Sequence, residues 1–294
     1  MTIPNLHLGD YVADGVDWIK ATFEPLLDGI SDGLETLVDG ISGLLLAPPP
    51  LVVVVVFALL ALLVRSWSFA VFSLVGMLLI VSMEMWEPAM ETLALVVVAA
   101  VIALIIAVPL GILAARSNGF SAVLRPILDF MQTMPAFVYL VPVVIFFSIG
   151  VAPGVCATIV FALPPGVRLT ELAIRQVDRE TVEAGESFGG TSGQILRGIQ
   201  LPLGLPTIMA GVNQVIMLAL SMAVVAGLVG AGGLGQVVVG AISQLDVAVG
   251  FEGGLSVVII AIYLDRLTGA IGQHDNRSLL ATLRRRRRRV APAA

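Results

Sequence analysis

The stretch that decides the fold is "ETLALVVVAAVIALIIAVPLGIL", Glu91 to Leu113. After its first residue it carries no charge. As a helix it would rise about 35 Å, enough to cross a hydrocarbon layer about 30 Å thick. "LVVVVVFALLALLV", Leu51 to Val64, repeats the pattern earlier in the chain. Of 294 residues, 58% are hydrophobic and 13% charged, roughly half the charge of a soluble domain. The fold class is therefore all-α, a polytopic transmembrane helix bundle.

Composition also removes several chemistries. Cys156 stands alone, so neither a disulfide framework nor a cysteine metal site is available. His7 and His274 lie at opposite ends of the chain, which speaks against a histidine metal centre. Lys20 is the only lysine, so there is no P-loop and no ATP hydrolysis by this chain. No cofactor is expected in it. "MTIPNLHLGDYV" lacks a basic n-region, so no signal peptide is read there.

About seven spans follow from the apolar runs: 51–64, 68–83, 89–113, 130–150, 154–172, 206–229 and 247–265. The first two are short enough to be tilted or interfacial. No acidic residue reads as lying deep in a span. Alternation places Arg65, Arg116, Arg125, Arg168, Arg175, Arg179, Arg197, Arg266, Arg277 and Arg284 to Arg289 on one side. Glu84, Glu87, Glu91, Asp246 and Glu252 fall on the other. By the positive-inside rule the N-terminus is outside and the C-terminus cytoplasmic, in a bacterial-type inner membrane.

Three segments make up the expected plan. Residues 1–47 are an acidic amphipathic N-terminal segment on the outer side. Apolar residues from Val12 to Ile41 recur every three or four positions, with Asp and Glu out of phase and Pro25 as a point of bending. The acidic face argues against attraction to anionic lipid; a spacer lying at the interface and a docking surface for a partner both remain open. Residues 48–274 form the transmembrane domain, with a polar loop at 178–203. Residues 275–294 are a basic cytoplasmic tail, which reads as a topology anchor touching anionic headgroups and not as a nucleic-acid site. "GAGGLG", Gly230 to Gly235, matches a dinucleotide fingerprint in letters only. It follows a transmembrane helix and reads as a tight turn.

The polar loop interrupts the hydrocarbon once, late, with "EAGESFGGTSGQILRGIQLP", Glu183 to Pro202. Asp178 suits an N-cap and Gly189-Gly190 a helix end. Thr191 with Gln194 suits a capping box opening a second helix, which Pro202 should stop. Two short helices around an exposed bend can dock a partner or simply pack on their own bundle; both readings stand on physics alone.

The loop resembles the EAA loop of ABC importer permeases through Glu183, Ala184, Gly189, Ile199, Leu201 and Pro202, with Gly185 in place of the second alanine. "LPPGVRLTELAIRQVDRETVEAGESFG", "QLPLGLPTIMAGVNQVIMLALSMAVVAGLVGAGGLGQ" and "AIYLDRLTGAI" are similar to permeases for glycine betaine, choline and proline betaine, over roughly Pro88 to Gly272. That resemblance implies a type I ABC importer permease fold and a homodimer. It also implies coupling through the loop to an ATP-binding subunit that carries ATP–Mg, and delivery of solute by an external substrate-binding protein. The short segment after the last span leaves this binding protein as a separate chain. An importer for another small solute, such as an amino acid, is the neighbouring reading. A channel or secondary transporter would call for intramembrane charges or broken repeats, and a membrane enzyme for a nucleophile–base or metal constellation.

A candidate pathway stripe on the sixth span is Asn213, Met217 and Ser221, with Gln214 adjacent. Such residues either face a pathway or hydrogen-bond between helices. Ala219, Ala223 and Gly227 form a small-residue ridge for packing.

Overall fold

A computed structural model describes the backbone of residues 8–272 and the side chains of residues 13–270; His7, His274 and the basic tail lie outside it. The described residues contain helices and no strand. In chain order these are α1 (Leu8–Leu46), α2 (Pro50–Val64), α3 (Trp67–Ser82), α4 (Trp86–Arg116), α5 (Asn118–Thr133), α6 (Ala136–Phe147), α7 (Val151–Arg175), α8 (Arg179–Ser187), α9 (Ser192–Ile195), α10 (Leu201–Ala226), α11 (Gly233–Gln244) and α12 (Val247–Gly272).

Four helical stretches are long and apolar enough to cross a membrane: α4, α7, the continuous run Ser192–Val229 and Val247–Ala270. Two bent pairs, α1 with α2 (98°) and α5 with α6 (100°), raise the number to six at most by this measure, and α3 is a shorter apolar helix.

Three expectations need correction. Residues 130–150 are not one helix. Met134 adopts extended backbone (φ −73, ψ 133), the conformation that a following proline imposes, and the chain turns there at Pro135. The Tyr139 hydroxyl then donates back across the bend to the Met131 carbonyl. Pro202 does not stop the second loop helix. A π-turn, Leu196–Gln200, precedes it, with the Leu201 amide bonded to the Leu196 carbonyl five residues back. The wide turn passes the proline at a place where a regular α-helix would set its ring against a carbonyl. Finally, the glycine turn leads into α11, a helix that the span reading left out.

Small residues set how close the long helices come. A Cβ on Gly111 of α4 would lie 2.6 Å from Thr170 Cβ of α7. One on Gly204 of α10 would lie 3.0 Å from the Ala173 carbonyl, and one on Gly154 of α7 would lie 3.2 Å from Ala226 Cβ. These contacts make α7 antiparallel to α10. Arg175 donates to the Ala114 carbonyl at 2.7 Å, so α4 and α7 end together. Asn213 donates to Asp265 at 2.7 Å, and near the start of α12 a Cβ on Gly253 would lie 3.3 Å from Val237 of α11, which follows the end of α10, so α12 is antiparallel to α10. One end of the bundle therefore gathers Arg116, Arg175, Arg266 and the 178–200 loop. The other gathers Glu91, Gly150 and the glycine turn. There the Gly150 amide donates to the Val229 carbonyl (2.9 Å), and Glu91 Oε2 and Thr92 Oγ1 accept from the Gly233 and Leu234 amides (2.8 and 2.7 Å). The C-terminal half of α1 buries Leu34 and Val38 against this end.

The small-residue ridge is a packing face, as expected: Ala219 and Ala223 are buried, and Gly227 abuts the backbone of Gly235. A Cβ on Gly227 would sit 2.2 Å from the Gly235 carbonyl carbon, whereas Gly254 has no atom within 4 Å. Gly227→Ala should lower the thermal unfolding temperature of the detergent-solubilised protein, by an overpacking cost of about 1–3 kcal/mol. Gly254→Ala should not. Equal melting of the two variants would show that α10 and α11 do not meet so closely.

Candidate functional site

The polar loop is built from its caps. Asp178 Oδ1 accepts from the Glu180 amide (3.2 Å) and starts α8. Carbonyls at the end of α8 are satisfied by a Schellman closure: Gly190 N to Gly185 O (3.1 Å) and Gly189 N to Glu186 O (2.8 Å). Gly189 takes φ +79, a conformation that costs a side-chain-bearing residue roughly 1–2 kcal/mol. Thr191 and Gln194 then form the expected capping box, and Ile195 and Leu196 bury themselves beneath the loop.

Gly185 has a packing reason that composition hides. A Cβ there would come within 2.6 Å of Ile199 Cδ1, so the glycine lets α8 lie directly on Ile199. Glu183, Ala184 and Gly189 share the exposed tip with Phe188, whose ring is 94% exposed. Arg179 pairs with Glu183 at 3.2 Å. Both groups are well exposed, so the pair is worth under about 1 kcal/mol. Phe188 was not singled out by the sequence reading; as an aromatic directly before the Gly-Gly bend, it was visible there. Ile199 and Leu201 are half-buried at the base of the loop, and Pro202 is exposed.

From Ser192 the chain is helical without interruption to Val229, so the loop and the candidate stripe share one rod. Roughly 16 Å of rise separates Pro202 from Asn213. The stripe itself divides. Asn213 donates to Asp265 Oδ1 and accepts from Thr268 Oγ1, both at 2.7 Å, and so clasps α10 to α12. Met217 is half-buried. Gln214 and Ser221 stay exposed, and the Ser221 hydroxyl bonds only back to the Met217 carbonyl (3.0 Å).

Two acids sit in the last turns of long helices at the loop end of the bundle. α7 and α12 run to Arg175 and Gly272, beyond the expected 172 and 265, so Glu171 and Asp265 precede those ends by about one and two turns. Glu171 is 5% exposed, and its Oε1 accepts from Ser121 (2.7 Å), Arg125 (3.0 Å) and Arg175 (2.8 Å). Arg175 continues the network to Asn118 Oδ1 (2.9 Å), and Arg168 pairs with Asp129. This hub joins α4, α5 and α7 beside the loop. Only the i,i+4 pair Glu171–Arg175 was legible in sequence; Ser121 and Arg125 lie some fifty positions away. Among the described residues no group of His, Cys, Asp and Glu could hold a metal ion.

Residues 107–274 match the family model described as "Binding-protein-dependent transport system inner membrane component". The chain belongs to that family. Among relatives of this permease, the glycine betaine transport system permease protein OpuAB of Bacillus subtilis (strain 168) is 47% identical over 266 residues, 90% of this chain and 94% of that protein. The glycine betaine/proline betaine transport system permease protein ProW of Escherichia coli (strain K12) is 48% identical over 273 residues, 93% of this chain and 77% of that protein. Among solved structures, a chain of the inward-facing MetNI methionine ABC transporter superposes with a TM-score of 0.58 at 24% identity, covering 64% of this chain and 94% of that one. The fold is thus that of an ABC importer permease.

In this permease, Glu171→Ala leaves two guanidiniums without their shared carboxylate. It should cost about 2–3 kcal/mol, below the figure for a fully buried pair because Arg125 can turn to water. Arg125→Gln, which spares the Arg175 contact, should cost less. Thermal unfolding in detergent reads both, and the reverse order would remove Glu171 from the centre of the network.

Proposed function

We propose that the chain is the membrane-spanning subunit of an ATP-driven importer of glycine betaine and related compatible solutes such as choline or proline betaine. In this reading two copies enclose the pathway and an external binding protein delivers the solute. An ATP-binding subunit carrying ATP–Mg docks on the loop tip formed by Glu183, Ala184, Phe188 and Gly189. The observation that carries the coupling role is the unbroken helix from the loop into α10. A contact at Phe188 bears on a rigid rod and, through Asn213 and Asp265, on α12 as well. Closure of the ATPase dimer biases the bundle outward and release returns it inward, a two-state equilibrium shifted by one contact. The names of the relatives support the solute class.

Seven passes, with the N-terminus outside and the loop cytoplasmic, complete the proposal. The gathering of arginines at the loop end supports it. With Cys156 replaced by serine, Ser243→Cys on α11 should react with an impermeant thiol reagent in intact cells. Ser192→Cys in the loop should react only after permeabilisation. Both positions are exposed, so labelling of both from outside would sink the orientation.

Coupling has its own test. Gly189→Asp combines φ strain with a charge at the docking face, and Glu183→Ala removes a weak exposed pair. Both proteins should insert at normal abundance. The first should abolish uptake of labelled glycine betaine and the second reduce it severalfold, with the ATPase detached or no longer stimulated by the loaded binding protein. Gly193→Ala is the control, since a Cβ there meets nothing within 4 Å. Normal uptake by Gly189→Asp with the ATPase bound would make the loop a passive one. An intact ATPase response to another solute, with none to glycine betaine, would correct the cargo alone.

A further inference from the structure

At the arginine-rich end, α2 turns into α3 beside the C-terminal half of α12 and leaves a cleft of about 410 Å³. One wall is polar, made by Arg65 and Arg266 with the hydroxyls of Ser66 and Ser68; the other is apolar, made by Phe69, Phe72 and Ile262. Arg65 Nη1 donates to the Arg266 carbonyl at 3.3 Å, which holds the two basic residues together. The serine hydroxyls lie 3.2 Å apart, and Ser66 makes no side-chain cap to α3. Among the described residues the acid paired with Arg266 is Asp265, at 3.9 Å, and its other oxygen accepts from Asn213. Two like charges thus share a cleft with one carboxylate at the limit of ion-pair distance, already bonded to Asn213. An anion placed between them would accept from both guanidiniums and from the hydroxyls.

The surroundings say what the anion is attached to. The outward faces of α2 and α3 are apolar, with Leu59, Leu63, Val71 and Val75 each about half exposed, and Trp67 is 72% exposed beside the cleft. Exposed aliphatic faces below an aromatic and arginines are the pattern of a surface that meets acyl chains and headgroups. The α2–α3 hairpin precedes residues 107–274, the part that matches the family model, so the cleft joins residues before that match to α12 within it.

We propose that this cleft binds the phosphate of an anionic phospholipid, held between Arg65 and Arg266, with its acyl chains along α2 and α3. The proposal goes beyond the transport reading and needs only that the chain sits in a bilayer. The test uses the full chain in detergent, titrated with brominated phosphatidylglycerol or brominated phosphatidylcholine. Trp67 emission is read as the difference from Trp67→Phe. Phosphatidylglycerol should quench Trp67 at a roughly tenfold lower mole fraction than phosphatidylcholine, as two surface arginines imply. Arg65→Gln with Arg266→Gln should erase that preference, and the corresponding lysine pair should keep part of it. Replacing Arg284 to Arg289 by glutamine should leave it intact. If the glutamine pair does not stay monodisperse, Arg266→Gln alone supplies the comparison, since among the described residues that side chain makes no hydrogen bond and one long ion pair, to its neighbour Asp265. Equal quenching by the two lipids, or a preference lost only with the tail, overturns the proposal. Relief of quenching by millimolar inorganic phosphate would assign the cleft to a soluble anion and overturn it equally.

Discussion

Helices in a bilayer gain no hydrophobic free energy from meeting one another, so close approach of their backbones has to do the holding. Here that requirement falls on α7. Its neighbours reach it through Gly111, Gly204 and Gly211, and α7 presents Gly154 and Gly166 in return. A single methyl group at Gly111 or Gly166 would come under 3 Å from an atom of the facing helix. Everything else hangs from that contact. It fixes α10 along α7, and α10 in turn fixes the loop at one end and the glycine turn at the other. The polar bonds come after, as locks at the ends: the Glu171 hub on one side, Glu91 and Thr92 holding the start of α11 on the other.

The same geometry explains why the loop is stiff as well as exposed. A docking element that merely projects would lose any displacement in its own flexibility. This one is closed by a Schellman turn and a capping box, seats Ile195 and Leu196 inward, and runs into a membrane helix with no hinge residue out of helical backbone. The π-turn at Leu196–Gln200 is the cost of placing Pro202 there, and it preserves continuity where a kink would have broken it. Gly185 belongs to the same economy of space, because α8 rests on Ile199 only where no Cβ intervenes.

How much of this was legible in the sequence depends on the range of the interaction. Local signals read well. Asp178, the Gly189-Gly190 end and the Thr191–Gln194 box are written within four residues of where they act, and the structure has each. The apolar runs of α4, α7, α10 and α12 announced themselves by length. What failed was of two kinds. Apolar composition cannot distinguish a straight span from two helices at 100°, so Pro135 was absorbed into a run; the same blindness hid α11 behind its glycines. The second kind is contact at a distance. Ser121, Arg125 and Glu171 carry no shared periodicity, and Asp265 beside Arg266 looked like the end of a span when the helix continues to Gly272.

That leaves the stripe on α10, whose residues have different surroundings. Asn213 is an interhelical hydrogen-bond residue, donating to Asp265 and accepting from Thr268. Gln214 and Ser221 are not engaged by any other helix described. An amide left facing hydrocarbon without a partner costs several kcal/mol, so a stable protein does not leave Gln214 against lipid. Covering that face with a second copy, or with the water of a pathway between two copies, removes the cost. The proposed homodimer therefore accounts for a side chain that this chain alone does not satisfy. The clasp at Asn213 lies on the same helix, one position away, and ties α10 to α12 beside that open face.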